Sequence, residues 1–295
     1  MITLETGRLR VRIAEPGVHP NLTSRFDRAG FITSVVLDGQ TEFCTIEPTN
    51  LVHPSTGGVG LCSEFLFPGA CEEAPVGAWF PKFGIGLFRK PDGGPFCFYR
   101  RYETRSFAVR WQAEGDRVVF ETAPEECLGY AVLARKTIRA EENRLSMEVS
   151  LENTGSRPLE LREFCHNFLT LERQPIGPAY TLEIPYLSDR GTGIAAGTIR
   201  GAGRGFTFTD YNPEAALVSL GPECVEPSAD YGWTLRHLGV PAAVAARDAF
   251  RPDGLDLWAI DHIVSLESFC RIKLAPGART AWTRSWTFRG ARDGE

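Results

Sequence analysis

The sequence has a strand-like pattern through most of its length and very little helical periodicity. Residues 144–152 alternate between apolar and polar side chains, which is typical of a strand with one buried and one exposed face. Turn-forming residues such as Asp38-Gly39 and Asn153-Thr154-Gly155 separate the segments. Other strand-like segments occur at residues 8–13, 31–37, 96–102, 106–112, 117–122, 131–139, 159–168, 255–261, 268–274 and 281–288. The pattern therefore predicts an all-β protein.

The organisation of the chain indicates a single domain that spans residues 1–295. No low-complexity linker and no internal repeat divides it, and the 30 Gly and 20 Pro suit many strands joined by turns. A domain of roughly fifteen or more strands is expected to form two large sheets that pack face to face.

The composition argues against several classes of partner. The net charge is −5 and the 32 Lys and Arg are dispersed along the chain, so no basic face for nucleic acid or an anionic membrane is expected. No apolar run approaches the ~18 residues of a membrane-spanning helix. The first residues lack the apolar core of a signal peptide, and we therefore expect a soluble, cytoplasmic protein.

The cysteine pattern does not predict a metal site. There are eight cysteines and none falls in a Cys-x-x-Cys pair, so a structural zinc site is not expected. An even number would allow disulfides in a secreted protein. Because an export signal is lacking, we interpret the cysteines as small buried apolar residues.

Two long regions do not look like strands. Residues 50–77 are rich in Gly, Pro and Ser, and residues 189–205 are rich in Gly. Their glycines do not match a phosphate-binding fingerprint, because no strand leads in and no helix follows. Long loops on a sheet scaffold often carry binding residues, so both regions are candidates for that role.

Two apolar strand segments carry proton-handling side chains. His166 lies within residues 161–169, and Glu267 lies within residues 261–269. An apolar strand tolerates such groups if they are paired, or if they face a cleft and do chemistry there. The alternative interpretation is a core histidine bonded to the backbone and a glutamate in a structural ion pair. Asn167 should point to the sheet face opposite His166.

Four segments carry a resemblance to a known family. Residues 25–39 resemble an opening hairpin, and residues 148–169 resemble a strand that ends in His166-Asn167-Phe168-Leu169. Residues 264–267 resemble a strand that bears a catalytic glutamate, and residues 274–288 resemble a closing hairpin. In their order and spacing they resemble the galactose mutarotase (aldose 1-epimerase) superfamily over most of the chain.

The resemblance implies a fold and an activity. The fold is a large antiparallel two-sheet β-sandwich, the galactose mutarotase-like supersandwich, with a sugar cleft on a concave sheet. The activity is that of an aldose 1-epimerase-like isomerase without a cofactor, in which His166 is the general acid and Glu267 the general base. Anomer interconversion needs both roles, and these side chains suit them. The expected ligand is a small-molecule sugar or a sugar phosphate.

The sequence departs from the family at two points. A second histidine is replaced by Lys82 in the comparable region, and the middle of the chain offers no match for a sugar-gripping aspartate. We therefore expect a divergent branch of the superfamily. The candidates for sugar binding are Arg25, Glu64, Lys82, Trp258 and His262. Glu64 has apolar neighbours in sequence and needs a partner, for which Lys82 and Arg25 are the candidates.

Two other functions remain open at the level of sequence. The first is a non-catalytic carbohydrate-binding protein on the same scaffold, which the missing family residues favour. The second is a role in assembly or regulation, with a vestigial cleft. Fold alone does not choose among these functions. The expected assembly is a monomer or a homodimer.

Overall fold

The computed structural model describes residues 1–18, 24–48, 56–191, 193–211 and 214–294. Within these ranges the regular elements are 24 strands, one short α-helix and three 3-10 turns, which confirms the prediction of an all-β protein. The helix is α1 (Pro68–Glu73). The strands are β1 (Ile2–Glu5), β2 (Leu9–Ile13), β3 (Ile32–Leu37), β4 (Thr41–Glu42), β5 (Gly60–Leu66), β6 (Trp79–Lys82), β7 (Gly86–Arg89), β8 (Thr104–Ser106), β9 (Val109–Glu114), β10 (Arg117–Thr122), β11 (Val132–Glu141), β12 (Arg144–Asn153), β13 (Leu159–Phe168), β14 (Tyr180–Glu183), β15 (Ala195–Ala196), β16 (Ile199–Gly201), β17 (Gly205–Phe208), β18 (Ala216–Leu220), β19 (Tyr231–His237), β20 (Ala243–Asp248), β21 (Leu255–Ile260), β22 (Ile263–Ser268), β23 (Cys270–Leu274) and β24 (Arg279–Arg289).

Two of the sheets form the first layer of the sandwich. A seven-stranded sheet has the order β1-β2-β3-β5-β13-β23, with β4 paired to β3. The three-stranded sheet β18-β21-β22 adjoins it, because β22 runs beside β13 and Leu169 forms a bridge with Val264. Only Phe269 separates β22 from β23, so the two behave as one long strand along β13.

The second layer is an eleven-stranded sheet with the order β15-β16-β17-β14-β19-β20-β24-β12-β11-β10-β9. Strand pairs in both layers are antiparallel. On β12, Met147 faces the first layer, where it contacts the Ser63 hydroxyl, whereas Glu148 is exposed. The apolar side chains enclosed between the two layers form the main core, as expected for a two-sheet sandwich.

Strand β13 presents its two faces to different surroundings. Asn167 faces the second layer, where its Oδ1 accepts a hydrogen bond of 2.8 Å from Nε1 of Trp286. Phe164, His166 and Phe168 alternate with it and lie on the opposite side of the layer, which we call the outer face. The position predicted for Asn167 is confirmed, and His166 is directed away from the main core.

A buried ion cluster connects the two layers. Arg284 on β24 donates to Oε2 of Glu163 on β13 at 2.6 Å, and its Nε lies 3.3 Å from Oδ1 of Asp248 on β20. Nε1 of Trp282 also donates to Oε2 of Glu163, at 2.9 Å. One guanidinium therefore contacts two carboxylates inside the sandwich, where an unpaired charge would be strongly unfavourable.

The prediction of a strand at residues 96–102 is wrong. No strand is assigned there; the rings of Phe96 and Tyr102 instead lie at 6.5 and 5.0 Å from the ring of Phe88 on β7. The aromatic residues that suggested a strand thus belong to a small satellite core beside α1 and the sheet β6-β7-β8.

The two long regions predicted to be loops contain regular structure. Strand β5 and helix α1 lie within residues 50–77, and β15 and β16 lie within residues 189–205. Residues 50–55 and residue 192 lie outside the described residues. Glycine content misled the prediction, because Gly60 takes a positive φ of 57° at the start of β5 instead of marking a loop.

The eight cysteines are all free thiols. Six are buried, as predicted, whereas Cys97 is exposed and Cys127 is partly buried, so the prediction is wrong for those two. No helix in the described ranges combines the length and the apolar character needed to cross a membrane.

Candidate functional site

The register of the strands beside β13 sets the geometry of the site. Leu169 forms an antiparallel bridge with Val264, and β13 pairs with β23 in the same register. Continuing that register places His166 opposite Glu267. Residues directly opposite each other project to one face, with Cβ atoms about 5 Å apart. The two residues singled out as an acid–base pair therefore meet on the outer face.

The His166 ring is held between two carboxylates. Its Nδ1 lies 2.7 Å from Oε1 of Glu267, and its Nε2 lies 3.1 Å from Oε2 of Glu64. The ring is only 1% exposed, and it packs against the rings of Phe164 and Phe168. A protonated imidazole donates from both nitrogens, so this arrangement favours the imidazolium form.

Glu64 is the centre of a buried group of charges. It lies on β5 opposite Phe164, and not in a loop as its sequence neighbours suggested. Arg25 donates to its Oε2 at 2.8 Å, and Nζ of Lys82 lies 3.3 Å from its Oε1. Lys82 also donates to the Phe65 carbonyl at 2.6 Å. Both partners proposed for Glu64 are thus present together.

The charges shift two pKa values in directions that preserve the cluster. Burial favours a higher pKa for Glu64, but Lys82, the hydrogen bond with His166 and Arg25 together lower it to about 2. Burial favours a lower pKa for His166, but Glu267 and the hydrogen bonds to both carboxylates raise it above its ordinary value of 6.5. The cluster therefore keeps Glu64 ionised and favours the protonated form of His166.

Glu267 is oriented by a side chain that the sequence reasoning missed. The Ser265 hydroxyl donates to Oε1 of Glu267 at 2.9 Å and accepts from the backbone N–H of Asn167, also at 2.9 Å. The spacing of two residues on one strand was the available signal, because it puts Ser265 and Glu267 on the same face. Oε2 of Glu267 accepts no hydrogen bond from the described part of the chain.

Residues 24–31 cover this part of the outer face. The Phe26 ring meets the His166 ring edge-on, with centroids 5.1 Å apart. The Arg25 guanidinium lies 4.5 Å from the centroid of Phe98. The Arg25 side chain is 20% exposed, against 5% for Lys82. Arg25 is therefore the cation of the cluster that a ligand arriving from solvent meets first.

Trp258 shares the outer face with the cluster. It lies on β21 opposite Ser265, and its ring packs edge-on against that of Phe168 with centroids 5.6 Å apart. It is partly exposed, so its aromatic surface is available on the same face as His166.

His262 lies apart from the cluster, in the turn between β21 and β22. Its Nδ1 lies 2.8 Å from Oδ2 of Asp261, and its Nε2 lies 3.1 Å from Oγ1 of Thr45. Five residues separate it from Glu267, which is about 17 Å along an extended strand. The structure thus brings together His166, Glu267, Glu64, Lys82 and Arg25 but not His262.

Among the described residues no group of three or more His, Cys, Asp or Glu side chains is placed to hold a metal ion. The Glu64 carboxylate is instead neutralised by Lys82 and Arg25 of the protein itself.

Comparisons with known proteins agree on the fold. No family model and no curated protein matches the sequence. A galactose mutarotase-like protein of Lactobacillus casei superposes with a TM-score of 0.60 at 15% identity, covering 98% of this chain and 99% of that one. A galactose mutarotase related enzyme of Lactobacillus acidophilus gives 0.57 at 15% identity, with 97% and 96% covered. An aldose epimerase homologue of C. elegans gives 0.53 at 12% identity, with 97% and 98% covered.

The structure therefore defines an antiparallel two-layer β-sandwich with a buried histidine–carboxylate cluster on one sheet face. More specifically, the chain has the galactose mutarotase-like fold, and its structural neighbours are galactose mutarotase-like and aldose epimerase proteins. The resemblance in sequence is confirmed at the level of the fold, at a low sequence identity.

We expect Glu64→Gln to lower the free energy of unfolding by about 3 kcal/mol near neutral pH, because a carboxylate with a strongly lowered pKa favours the folded state. The pKa of Glu64 falls from 4.5 to about 2 on folding, so its contribution is complete above pH 4.5 and is lost as the pH falls towards 2. Urea unfolding across this range should show the variant and the wild type converging at low pH. Glu148→Gln, on the exposed face of β12, is the control. A difference in the free energy of unfolding between Glu64→Gln and wild type that does not change with pH would contradict the lowered pKa of Glu64.

Proposed function

We propose that the protein is a cofactor-independent aldose 1-epimerase-like isomerase that interconverts the anomers of a small-molecule sugar. The observation that carries the proposal is the contact of 2.7 Å between Nδ1 of His166 and Oε1 of Glu267 on the outer face of a galactose mutarotase-like sandwich. A pyranose ring oxygen and the C1 hydroxyl are bonded to the same carbon. An acid and a base that act on them must therefore lie within a few ångströms of each other.

In the proposed reaction Glu267 accepts the proton of the C1 hydroxyl through Oε2, the oxygen that accepts no hydrogen bond from the described residues. The bond between C1 and the ring oxygen breaks as His166 donates its proton to that oxygen, and an open-chain aldehyde forms. Rotation about C1–C2 presents the other face of the carbonyl. In ring closure the hydroxyl that attacks C1 returns its proton to His166, and Glu267 gives its proton to the aldehyde oxygen, so that the protein is unchanged at the end of the cycle.

The electrostatics support these roles. His166 has a raised pKa and is flanked by two carboxylates, so it carries the proton that a general acid needs. Ser265 fixes one oxygen of Glu267 and leaves the other free to act as a base. Arg25 and Trp258 supply a planar cation and an aromatic ring for a sugar.

A second candidate is a carbohydrate-binding protein without catalytic activity. The observation in its favour is that both nitrogens of His166 are occupied by carboxylates and that the ring is almost completely buried. Catalysis then requires a sugar to displace Phe26, or one of the carboxylate contacts, before it can receive a proton. A binding protein has no such requirement.

Saturation-transfer NMR of anomer exchange tests the proposal, with wild type beside His166→Ala on a panel of aldoses and hexose phosphates. The proposal predicts acceleration of exchange on at least one sugar and its loss in His166→Ala. Saturable binding without acceleration would favour the carbohydrate-binding function. Acceleration that survives in a correctly folded His166→Ala protein would reject His166 as the acid.

A further inference from the structure

A row of four polar side chains crosses the first layer and extends beyond the acid–base pair. Asp256 on β21 lies directly opposite Glu267 on β22, and Ser219 on β18 lies directly opposite Asp256. Glu267 in turn lies opposite His166. Directly opposite residues share a sheet face, so Asp256 and Ser219 belong to the outer face beside the catalytic pair. The sequence analysis singled out neither residue.

Asp256 is a half-buried carboxylate without an ion-pair partner in the described ranges. Burial raises its pKa, a hydrogen bond with Ser219 lowers it, and the charge of Glu267 raises it again. The charges of Arg162 and His166 lower it to a smaller extent. The register opposite Glu267 places Asp256 beside the acid–base pair. A half-buried carboxylate has to find hydrogen-bond donors, and a single serine hydroxyl leaves most of its capacity unused.

Arg162 occupies the other side of this region. It lies on β13 in the same alternating set as Phe164 and His166, and its guanidinium stacks over the Phe269 ring at 4.7 Å. Phe269 packs in turn against Phe164, with ring centroids 4.8 Å apart. Like Asp256, Arg162 forms no ion pair within the described part of the chain. Arg162 on β13 and Asp256 on β21 thus flank the strands β22 and β23, and they form no ion pair with each other across the gap between them.

We propose that Asp256 and Arg162 bind the hydroxyl groups of the sugar on carbons remote from C1 and thereby determine which aldose is used. A carboxylate accepts hydrogen bonds from two neighbouring hydroxyls, and a guanidinium donates to their oxygens, which suits a ligand that bridges the gap. The proposal rests on the proposed function of His166 and Glu267, and it adds the residues that select the substrate.

The charges around the gap also select the class of sugar. Asp256 lies beside Glu267, so an anionic substituent placed there would meet two carboxylates. Among the cations nearby, Lys82 is countered by Glu64 and Arg271 by Glu160 at 2.5 Å, whereas Arg162 faces the two carboxylates Asp256 and Glu267. The chemistry favours a neutral aldose over a sugar phosphate, because a dianion would face like charges in a partly dehydrated site.

The test compares Asp256→Asn and Arg162→Gln with wild type on D-glucose, D-galactose, D-xylose and D-glucose 6-phosphate. Each variant should raise KM for the preferred neutral aldose about 10- to 100-fold, as expected when a hydrogen bond to a charged group is lost. The ratios of kcat/KM among the three aldoses should move closer to one. In contrast, kcat should change much less than in a variant of the acid–base pair. Asp116→Asn and Arg110→Gln, on the exposed side of the second layer, are matched controls.

The outcomes separate this proposal from the proposed function. If wild type accelerates exchange and both variants keep its KM and its preference among sugars, the roles of Asp256 and Arg162 are wrong and the isomerase stands. If wild type binds aldoses without accelerating exchange, the isomerase is wrong, and a tenfold or greater rise in Kd by NMR titration still supports the two residues. A preference for D-glucose 6-phosphate that depends on Arg162 would overturn the assignment to neutral sugars. Asp256→Glu, which keeps the charge, provides a second variant if Asp256→Asn is unstable.

Discussion

Glu267→Gln is expected to lower kcat for anomer exchange by about 10²- to 10⁴-fold, the usual contribution of a general base. The substitution keeps the size of the side chain and an oxygen for the Ser265 hydroxyl, but an amide cannot accept the proton of the C1 hydroxyl. It also removes one of the charges that raise the pKa of His166, so a smaller fraction of His166 carries the proton that it has to donate. The effect should therefore appear in kcat more than in KM.

Measurement of exchange rates by saturation-transfer NMR, on the sugar that wild type uses best, checks this expectation. Glu148→Gln provides the control, since it makes the same chemical change on the exposed face of β12. Thermal unfolding of both variants shows whether the fold is retained. A folded Glu267→Gln protein with wild-type kcat would exclude Glu267 as the base and leave the carbohydrate-binding function as the better explanation.

Arg284→Met is expected to lower the free energy of unfolding by about 3–5 kcal/mol, the usual effect of removing one member of a buried ion pair. Glu163 and Asp248 would then remain between the two layers without a counter-charge. Methionine fills much of the space that the arginine stem occupied, so the loss is electrostatic more than steric. By comparison, Arg279→Met on the same strand removes an exposed ion pair with Glu152 and should change stability by about 1 kcal/mol or less.

The dependence of this effect on pH gives a second check. Burial raises the pKa of Asp248 to about 6 even with Arg284 present, so the folded protein binds this proton more tightly than the unfolded chain does. The contribution of Asp248 therefore becomes less favourable as the pH rises from about 4 to 6. Without Arg284 the decrease in stability with rising pH should be larger. In urea unfolding, the free energy of unfolding of Arg284→Met should therefore lie closer to that of wild type at pH 5 than at pH 8. Adding Glu163→Gln and Asp248→Asn to the Arg284→Met variant should restore part of the lost free energy of unfolding. If none is restored, the loss comes from a packing defect and not from the unpaired charges.

Much of the architecture could be predicted from the residues alone. The alternation at residues 144–152 predicted a strand with one buried face, and β12 occupies Arg144–Asn153 with its apolar side turned to the core. The predictions failed where a residue type that is typical of one kind of local structure occurs in another. The aromatic residues at 96–102 fill a satellite core without pairing as a strand. Gly60, which takes a positive φ, lies within β5 and does not mark a loop.

Some residues of the site were recognisable in the sequence because they are polar residues in apolar segments. A histidine or a glutamate inside an apolar strand is visible in any sequence, and His166, Glu267 and Glu64 were found by this signal. Ser265, Ser219 and Asp256 were missed because serine and aspartate in alternating strands are ordinary on an exposed face. Only the pairing of β18, β21, β22 and β13 shows that their side chains form one row.

The sequence by itself determined the strand pattern, the likeness to the mutarotase superfamily and the candidates for an acid–base pair, because each depends on residue type and spacing along the chain. Tertiary structure alone decided the partners. Glu64 binds His166, Arg25 and Lys82, which are 102, 39 and 18 residues away from it in the chain. It also separated His262 from Glu267, although the two are near neighbours in sequence. The physical reason is register: which strands pair, and at which residue, depends on packing across the whole sandwich.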